Sequence, residues 1–350
     1  MTKNDSSVLL IYTGGTIGMR ENPETGNLEA FNFLHLIDNV PELKRLGSRI
    51  STLQFDPPID SSDMNPARWR DLVNIITDNY HEYDGFVVLH GTDTMAFTAS
   101  ALSFMLEDLN KPVILTGSQL PIGVLRTDGK ENLITAIEIA SAKNDNGPIV
   151  PEVCILFDNL LLRGNRTIKT TAENFNAFNS YNYPPLAKIG IHIKYDTHVI
   201  KYSNTKKKLK PHYLMDTNLA VLKIFPGISK PIIDSIINTR NLKGIILESY
   251  GSGNAMTQKW FLDSLKKGID KGLVIVNISQ CIGGSVQMDL YESGSKLKSI
   301  GVLSGYDMTT EAALAKLMFL FGHNVTNDVI KKYFNIDLCG EMTIHDYISK

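Results

Sequence analysis

The chain has 350 residues, 43% of them hydrophobic, and a formal net charge of −2, which fits two domains with real cores and excludes the basic face that nucleic-acid binding needs. No apolar run is long enough to span a bilayer, and residues 1–7 lack the apolar stretch of a signal peptide. The three cysteines, Cys154, Cys281 and Cys339, show no CxxC spacing, which fits a reduced, cytoplasmic protein.

In chain order, an apolar strand is expected at 8–12, ending in Thr13-Gly14-Gly15-Thr16-Ile17-Gly18. A helix should start at Asn65-Pro66, a capping residue followed by proline at the first helical position, with Trp69, Leu72, Val73 and Ile76 on one face. A second strand at 85–89 runs into His90-Gly91-Thr92-Asp93-Thr94. Residues 97–109 again have helical spacing, through Ala101, Phe104, Met105 and Leu109. Strands follow at 112–116, before Gly117-Ser118-Gln119, and at 153–157. This alternation predicts a mainly parallel sheet with helices on both faces.

The pattern breaks after Lys188, and residues 201–210, with Lys206-Lys207-Lys208, read as a solvated surface linker. A second alternating block has strands at 219–225, 244–249 and 273–278. It also has a helix at 308–321 with Asp307 as N-cap and Leu314, Leu317, Met318 and Phe321 on one side. The expected division is a domain at 1–190, a linker at 191–217 and a second α/β domain at 218–350.

Open α/β sheets bind ligands at the carboxyl ends of their strands, where this chain places two threonine-bearing, glycine-rich turns. Gly-Gly-Thr alone is weak evidence: it is neither a Walker loop nor a G-x-G-x-x-G turn, and Tyr250-Gly251-Ser252-Gly253-Asn254 also lacks that spacing. The ordered set is more specific. Thr13-Gly14-Gly15-Thr16-Ile17-Gly18 is followed by Asp60-Ser61-Ser62-Asp63-Met64 and His90-Gly91-Thr92-Asp93-Thr94-Met95. Arg163-Gly164-Asn165-Arg166-Thr167 comes next, with Lys169 close behind.

In that order the motifs resemble the bacterial type I (cytoplasmic) L-asparaginases, within the asparaginase/glutaminase family. The likeness extends through Ser249-Tyr250-Gly251-Ser252-Gly253-Asn254-Ala255, Gln280-Cys281 and Gly305-Tyr306-Asp307-Met308-Thr309. It implies a larger N-terminal and a smaller C-terminal α/β domain. It implies hydrolysis of L-asparagine to L-aspartate and ammonia through a threonine acyl-enzyme, with no metal and no cofactor. It also implies homodimers or homotetramers built from close dimers.

By the same resemblance Thr16 is the nucleophile, Thr92 a second hydroxyl and Lys169 its base or proton partner. Asp93 would meet the substrate's α-ammonium, and Asp60, Ser61 and Ser62 its α-carboxylate and α-amine. The N–H of Gly91 or Thr92, with that of Thr16, would form an oxyanion hole. Plainer roles stand beside these. Asp93 suits a helix N-cap, and Ser61 and Ser62 suit a cap or turn. Asn254 either reaches a neighbouring subunit's site, as in the family, or is a left-handed turn residue.

Cys281 reads as a small buried residue. Glu248 and Ile168 stand where an allosteric site of some relatives would have a cation and a hydroxyl, so that allostery is not expected. Many relatives carry an activating tyrosine in the loop after the nucleophile. Here residues 20–29 contain none, with Asn27 or Leu28 near its place, while Pro23 and Gly26 suit a lid. Tyr291 is the substitute candidate; its plainer role is a half-buried tyrosine near a subunit interface.

Four rivals remain open. A glutaminase-asparaginase differs by one substrate methylene, worth only ~1–3 kcal/mol of discrimination. An amidase subunit of a tRNA-dependent amidotransferase would carry an added N-terminal region. A lysophospholipase would carry an ankyrin extension. A binding-only sensor would lose a hydroxyl or the lysine, whereas Thr16, Thr92 and Lys169 are all present.

Overall fold

The computed structural model describes residues 6–21, 25, 28–30, 40–203 and 207–344. It forms two compact units, Met1–Tyr213 and Leu214–Lys350. The first unit carries strands β1 (Ser7–Tyr12), β2 (Arg49–Gln54), β3 (Gly85–Leu89), β4 (Val113–Thr116) and β5 (Val153–Phe157). β6 (Leu160–Arg163), β7 (Ala187–Lys188) and β8 (Lys194–Tyr195) complete its sheet. The strand order is β8-β7-β6-β5-β4-β3-β1-β2. From β5 to β2 neighbours are parallel; β5 to β8 pair antiparallel.

β1 and β3 are buried along their whole length, as parallel strands covered on both faces must be. Helices α1 (Pro66–Asp78), α2 (Met95–Met105) and α3 (Gly129–Ser141) belong to this unit. On one face Val8, Leu10 and Tyr12 pack with Leu133, Ala136 and Ile137 of α3. Strand side chains alternate, and Leu9 and Ile11, on the opposite face, are buried as well. The start of α1 follows the sequence reading: the Asn65 side chain accepts from the Ala67 and Arg68 N–H groups, and Pro66 opens the helix.

Helical spacing overran at 97–109. α2 ends at Met105, and Leu106–Glu107 pairs antiparallel with Lys210–Pro211. The Met105 carbonyl accepts from His212 N–H at 2.8 Å. Glu107 meets His212 at 2.6 Å and Lys210 at 3.1 Å. A strand partner about a hundred residues away has claimed backbone that local periodicity would have left in the helix. Thus parts of 191–217, read as linker from composition, are paired: Lys210–Pro211 here and Lys194–Tyr195 in β8.

The second unit has β9 (Leu219–Lys223), β10 (Gly244–Ser249), β11 (Val274–Ser279) and β12 (Leu303–Ser304), parallel and adjacent in that order. Its helices are α4 (Lys230–Ile237), α5 (Lys259–Asp270), α6 (Glu292–Ser299), α7 (Thr310–Gly322) and α8 (Asn327–Phe334). Ile245, Leu247 and Ile275 pack with Ile233, Phe261 and Leu297 on one face. Ile246, Val274 and Val276 pack with Leu317, Phe321 and Phe334 on the other. β9 stops at Lys223, short of the expected 225.

Thr309 rather than Asp307 caps α7, its hydroxyl oxygen accepting from Ala312 N–H. Asp307 Oδ1 instead accepts from Thr343 N–H at 2.7 Å. Fully buried Lys316 of α7 donates to Glu341 at 2.6 Å and to the Ile336 carbonyl at 2.7 Å. That pair ties the segment after α8 back onto α7. Cys281 is exposed, not buried, because the chain leaves the sheet at Ser279 and turns outward. Among the described residues no helix is long and apolar enough to cross a membrane.

Candidate active site

The two threonine turns meet back to back. Gly15 follows β1 with φ 92°, a left-handed backbone that glycine adopts without strain. A methyl group on Gly15 would fall 2.6 Å from both Cα and N of Gly91, which follows β3. A methyl on Gly91 would in turn fall 2.5 Å from Ser61 Oγ. Neither position has room for a side chain. The turns are fixed to the sheet by Thr13, whose N–H and hydroxyl both donate to Leu89 O at 3.0 Å. Thr16 and Thr92 are both partly exposed beside this contact.

Ser61 is buried, and its carbonyl accepts the Thr94 hydroxyl at 2.6 Å. Asp60 and Ser62 are exposed. Asp60 Oδ1 accepts from Ser62 N–H at 2.8 Å, so Asp60 caps its own short turn while Asn65 caps α1. Asp93 does not cap α2. Thr94 holds that position without a side-chain cap bond, and Asp93 Oδ1 lies 2.6 Å from Lys169 Nζ.

Lys169 Nζ also lies 2.8 Å from Thr92 Oγ1. It sits on a two-residue strand, Ile168–Lys169, paired antiparallel with Phe178–Asn179. The approach to that strand is rigid. Arg163 makes a two-pronged buried ion pair with Glu152, at 2.6 and 3.1 Å. Burial opposes its charge, but the Glu152 carboxylate outweighs this and raises the guanidinium pKa. Arg163 and Arg166 both lie over the Tyr183 ring, at 4.3 and 5.2 Å. Thr167 Oγ1 donates to Arg163 O at 2.7 Å. The arginine-rich motif thus braces the lysine.

Other contributors were not read from the sequence. The Gln119 and Leu120 N–H groups donate to Asp128, and Gln119 Nε2 donates to the Ala172 and Asn174 carbonyls. This pins the loop after β4 to the segment following Lys169. The local sequence around Asp128 signals only a helix start. Tyr12, the last residue of β1, and His90, in the second motif, also prove to be engaged with the turns.

Asn254 and Tyr291 belong to the second unit. Asn254 is not left-handed; Gly251 and Gly253 take positive φ instead. Its Oδ1 accepts from Ser293 Oγ at 2.7 Å. Tyr291 precedes α6 and is 53% exposed. Glu248 Oε1 accepts from Thr310 at 2.8 Å, and its other oxygen lies 3.4 Å from Lys223. Pro23, Gly26 and Asn27 lie outside the described residues; the backbone ribbon Met19–Glu21 with Leu28–Ala30 is described on either side of them.

Comparison with known proteins matches both units. Residues 7–201 match the family model "Asparaginase, N-terminal" and residues 218–334 match "Glutaminase/Asparaginase C-terminal domain". L-asparaginase 1 of Escherichia coli (strain K12) is 43% identical over 97% of this chain and 99% of its own length. The 60 kDa lysophospholipase of Mus musculus is 40% identical over 96% of this chain, which spans 62% of that longer protein. The solved structure of L-asparaginase I from Vibrio cholerae has a TM-score of 0.88 at 40% identity, covering 97% of this chain and all of that one. The chain belongs to the asparaginase family along essentially its whole length.

Proposed function

We propose that the protein is an L-asparaginase that converts L-asparagine to L-aspartate and ammonia through an acyl-enzyme on Thr16. The observation that carries this reading is the close seating of the Thr16 and Thr92 turns, with Lys169 Nζ 2.8 Å from the Thr92 hydroxyl. Amide hydrolysis is slow in one step, and a covalent intermediate divides it into two easier ones. The Thr16 oxygen bonds to the side-chain amide carbon of asparagine. Its proton passes through Thr92 and Lys169 to the leaving nitrogen, the C–N bond breaks, and ammonia departs. Water then adds to the ester, the bond to Thr16 breaks, and aspartate leaves with the hydroxyl restored.

Asp93 takes the α-ammonium, and Asp60, Ser61 and Ser62 hold the α-carboxylate and α-amine. The N–H of Gly91 or Thr92, with that of Thr16, receives the oxyanion. Asn254 and Tyr291 act from the second domain, Asn254 on the site of a neighbouring copy in a homodimer or homotetramer. The scheme runs on side chains and backbone alone, in the cytoplasm.

The test is ammonia release from L-asparagine and L-glutamine by wild type and Thr16→Ala. Fast release from asparagine that falls by at least ~10³-fold in the variant is expected. Undiminished release by folded Thr16→Ala contradicts the reading.

A further inference from the structure

Each site threonine follows a glycine, and each of those glycines has its carbonyl held from inside the protein. At the first turn the fully buried Tyr12 donates its hydroxyl to Gly15 O at 3.3 Å. Gly18 N–H donates to the same oxygen at 3.2 Å. At the second turn His90, 1% exposed, has Nδ1 2.7 Å from Gly91 O. A carbonyl only accepts, so Nδ1 carries the hydrogen. The neutral ring then accepts at Nε2, from the Thr98 hydroxyl 2.9 Å away. Thr98 Oγ1 in turn accepts from Trp69 Nε1 at 3.0 Å. The chain Trp69–Thr98–His90–Gly91 therefore has one direction, and it anchors the turn to α1 and α2.

Burial keeps Tyr12 a neutral hydroxyl and His90 a neutral ring that can accept at Nε2. It pushes the His90 pKa down to about 4 and the Tyr12 hydroxyl up to about 12.

A trans peptide is planar, with its C=O and the following N–H pointing in opposite directions. Asp56-Pro57 is the cis bond among the described residues, so the peptides at Gly15–Thr16 and Gly91–Thr92 are trans. Drawing the two glycine oxygens inward turns the Thr16 and Thr92 N–H groups outward. Among the described residues neither N–H donates a hydrogen bond. The glycines touch back to back, so the two free donors flank one location.

We propose that Tyr12 and His90 are a matched pair of positioning residues that aim the Thr16 and Thr92 N–H groups at the oxyanion formed from the substrate amide. This rests on the asparaginase reading above and selects Thr92, not Gly91, as the second donor. Neither side chain touches substrate. Glycine peptides rotate readily, and without the inner hydrogen bonds each turn would leave its donor poorly aimed.

Steady-state ammonia release and thermal melts on full-length wild type, Tyr12→Phe, His90→Leu and His90→Asn test this. Donors directed at a developing oxyanion act on kcat, and deleting one outright typically costs ~10²–10³-fold. Misaiming one should cost about 10-fold in kcat, with KM within about 2-fold. Asparagine at 90 offers an N–H where Nδ1 stood, so His90→Asn should recover most of what His90→Leu loses.

Tyr12→Phe removes a single oxygen and keeps the test decisive if His90→Leu does not fold. Wild-type kcat in folded Tyr12→Phe overturns the proposal. So does a His90→Asn no faster than a His90→Leu of equal melting temperature. A wild type that releases no ammonia overturns the underlying reading instead, which separates the two failures.

Discussion

Both units carry parallel strands covered by helices on two faces, yet the carboxyl ends of those strands differ. After β1 and β3, the glycine carbonyls are drawn inward and the Thr16 and Thr92 N–H groups are left without acceptors among the described residues. After β10 and β11 the turn groups are spent on each other. Tyr250 N–H donates to Asn254 O and Gly253 N–H to Tyr250 O. Gln280 Nε2 donates to the Ile224 and Glu248 carbonyls, Cys281 N–H to Ser279 Oγ, and Ser293 to Asn254. Strand topology locates where a site can be built. Whether a turn serves chemistry depends on which polar groups it leaves unsatisfied.

This contrast can be broken by changes that separate chemistry from stability. In the first unit, Lys169→Met should lower kcat by ~10²–10⁴-fold, the usual weight of a proton-transfer group, with little change in melting temperature. Stopped-time ammonia assays alongside a thermal melt check both. In the second unit, Glu341→Ala leaves Lys316 as a buried ammonium stripped of its carboxylate. Breaking such a pair costs ~3–5 kcal/mol, read by urea unfolding, while the fraction still folded should keep its turnover. Loss of kcat in a folded Glu341→Ala protein would erase the distinction between the two regions.

A smaller effect follows from His90. Burial lowers its pKa from 6.5 to about 4, so between those values the unfolded chain holds the extra proton. The stability contribution is complete above pH 6.5 and is lost as pH falls toward 4. From pH 7 to pH 5 the loss is ~2 kcal/mol. Urea unfolding of wild type at the two pH values should show it, and His90→Asn should remove that part of the pH dependence. An unchanged slope in the variant would mean that His90 is not held neutral by burial.

The strands at 8–12 and 85–89 were legible because buried parallel strands need unbroken apolar runs, and the first α1 turn because Asn-Pro is chemically specific to a helix start. The end of α2 was not, since Lys210–Pro211 competes for Leu106–Glu107 from far along the chain. Cys281 was misjudged because its residue type favours burial while its turn faces outward. The site motifs were visible as an ordered set. Hidden were the non-local contacts: Gly15 against Gly91, Lys169 against Thr92 and Asp93, and the Glu152–Arg163 brace. None of these has a local signature, because each pairs residues at least eleven positions apart.

The most direct measurement is rapid acid quench of wild type and Lys169→Met during turnover of L-asparagine, followed by peptide mass spectrometry. The account predicts one aspartyl ester on Thr16, formed more slowly in Lys169→Met, where the proton path from Thr16 to the leaving nitrogen is broken. An adduct on Thr92, or ammonia released with no adduct in either protein, would contradict it.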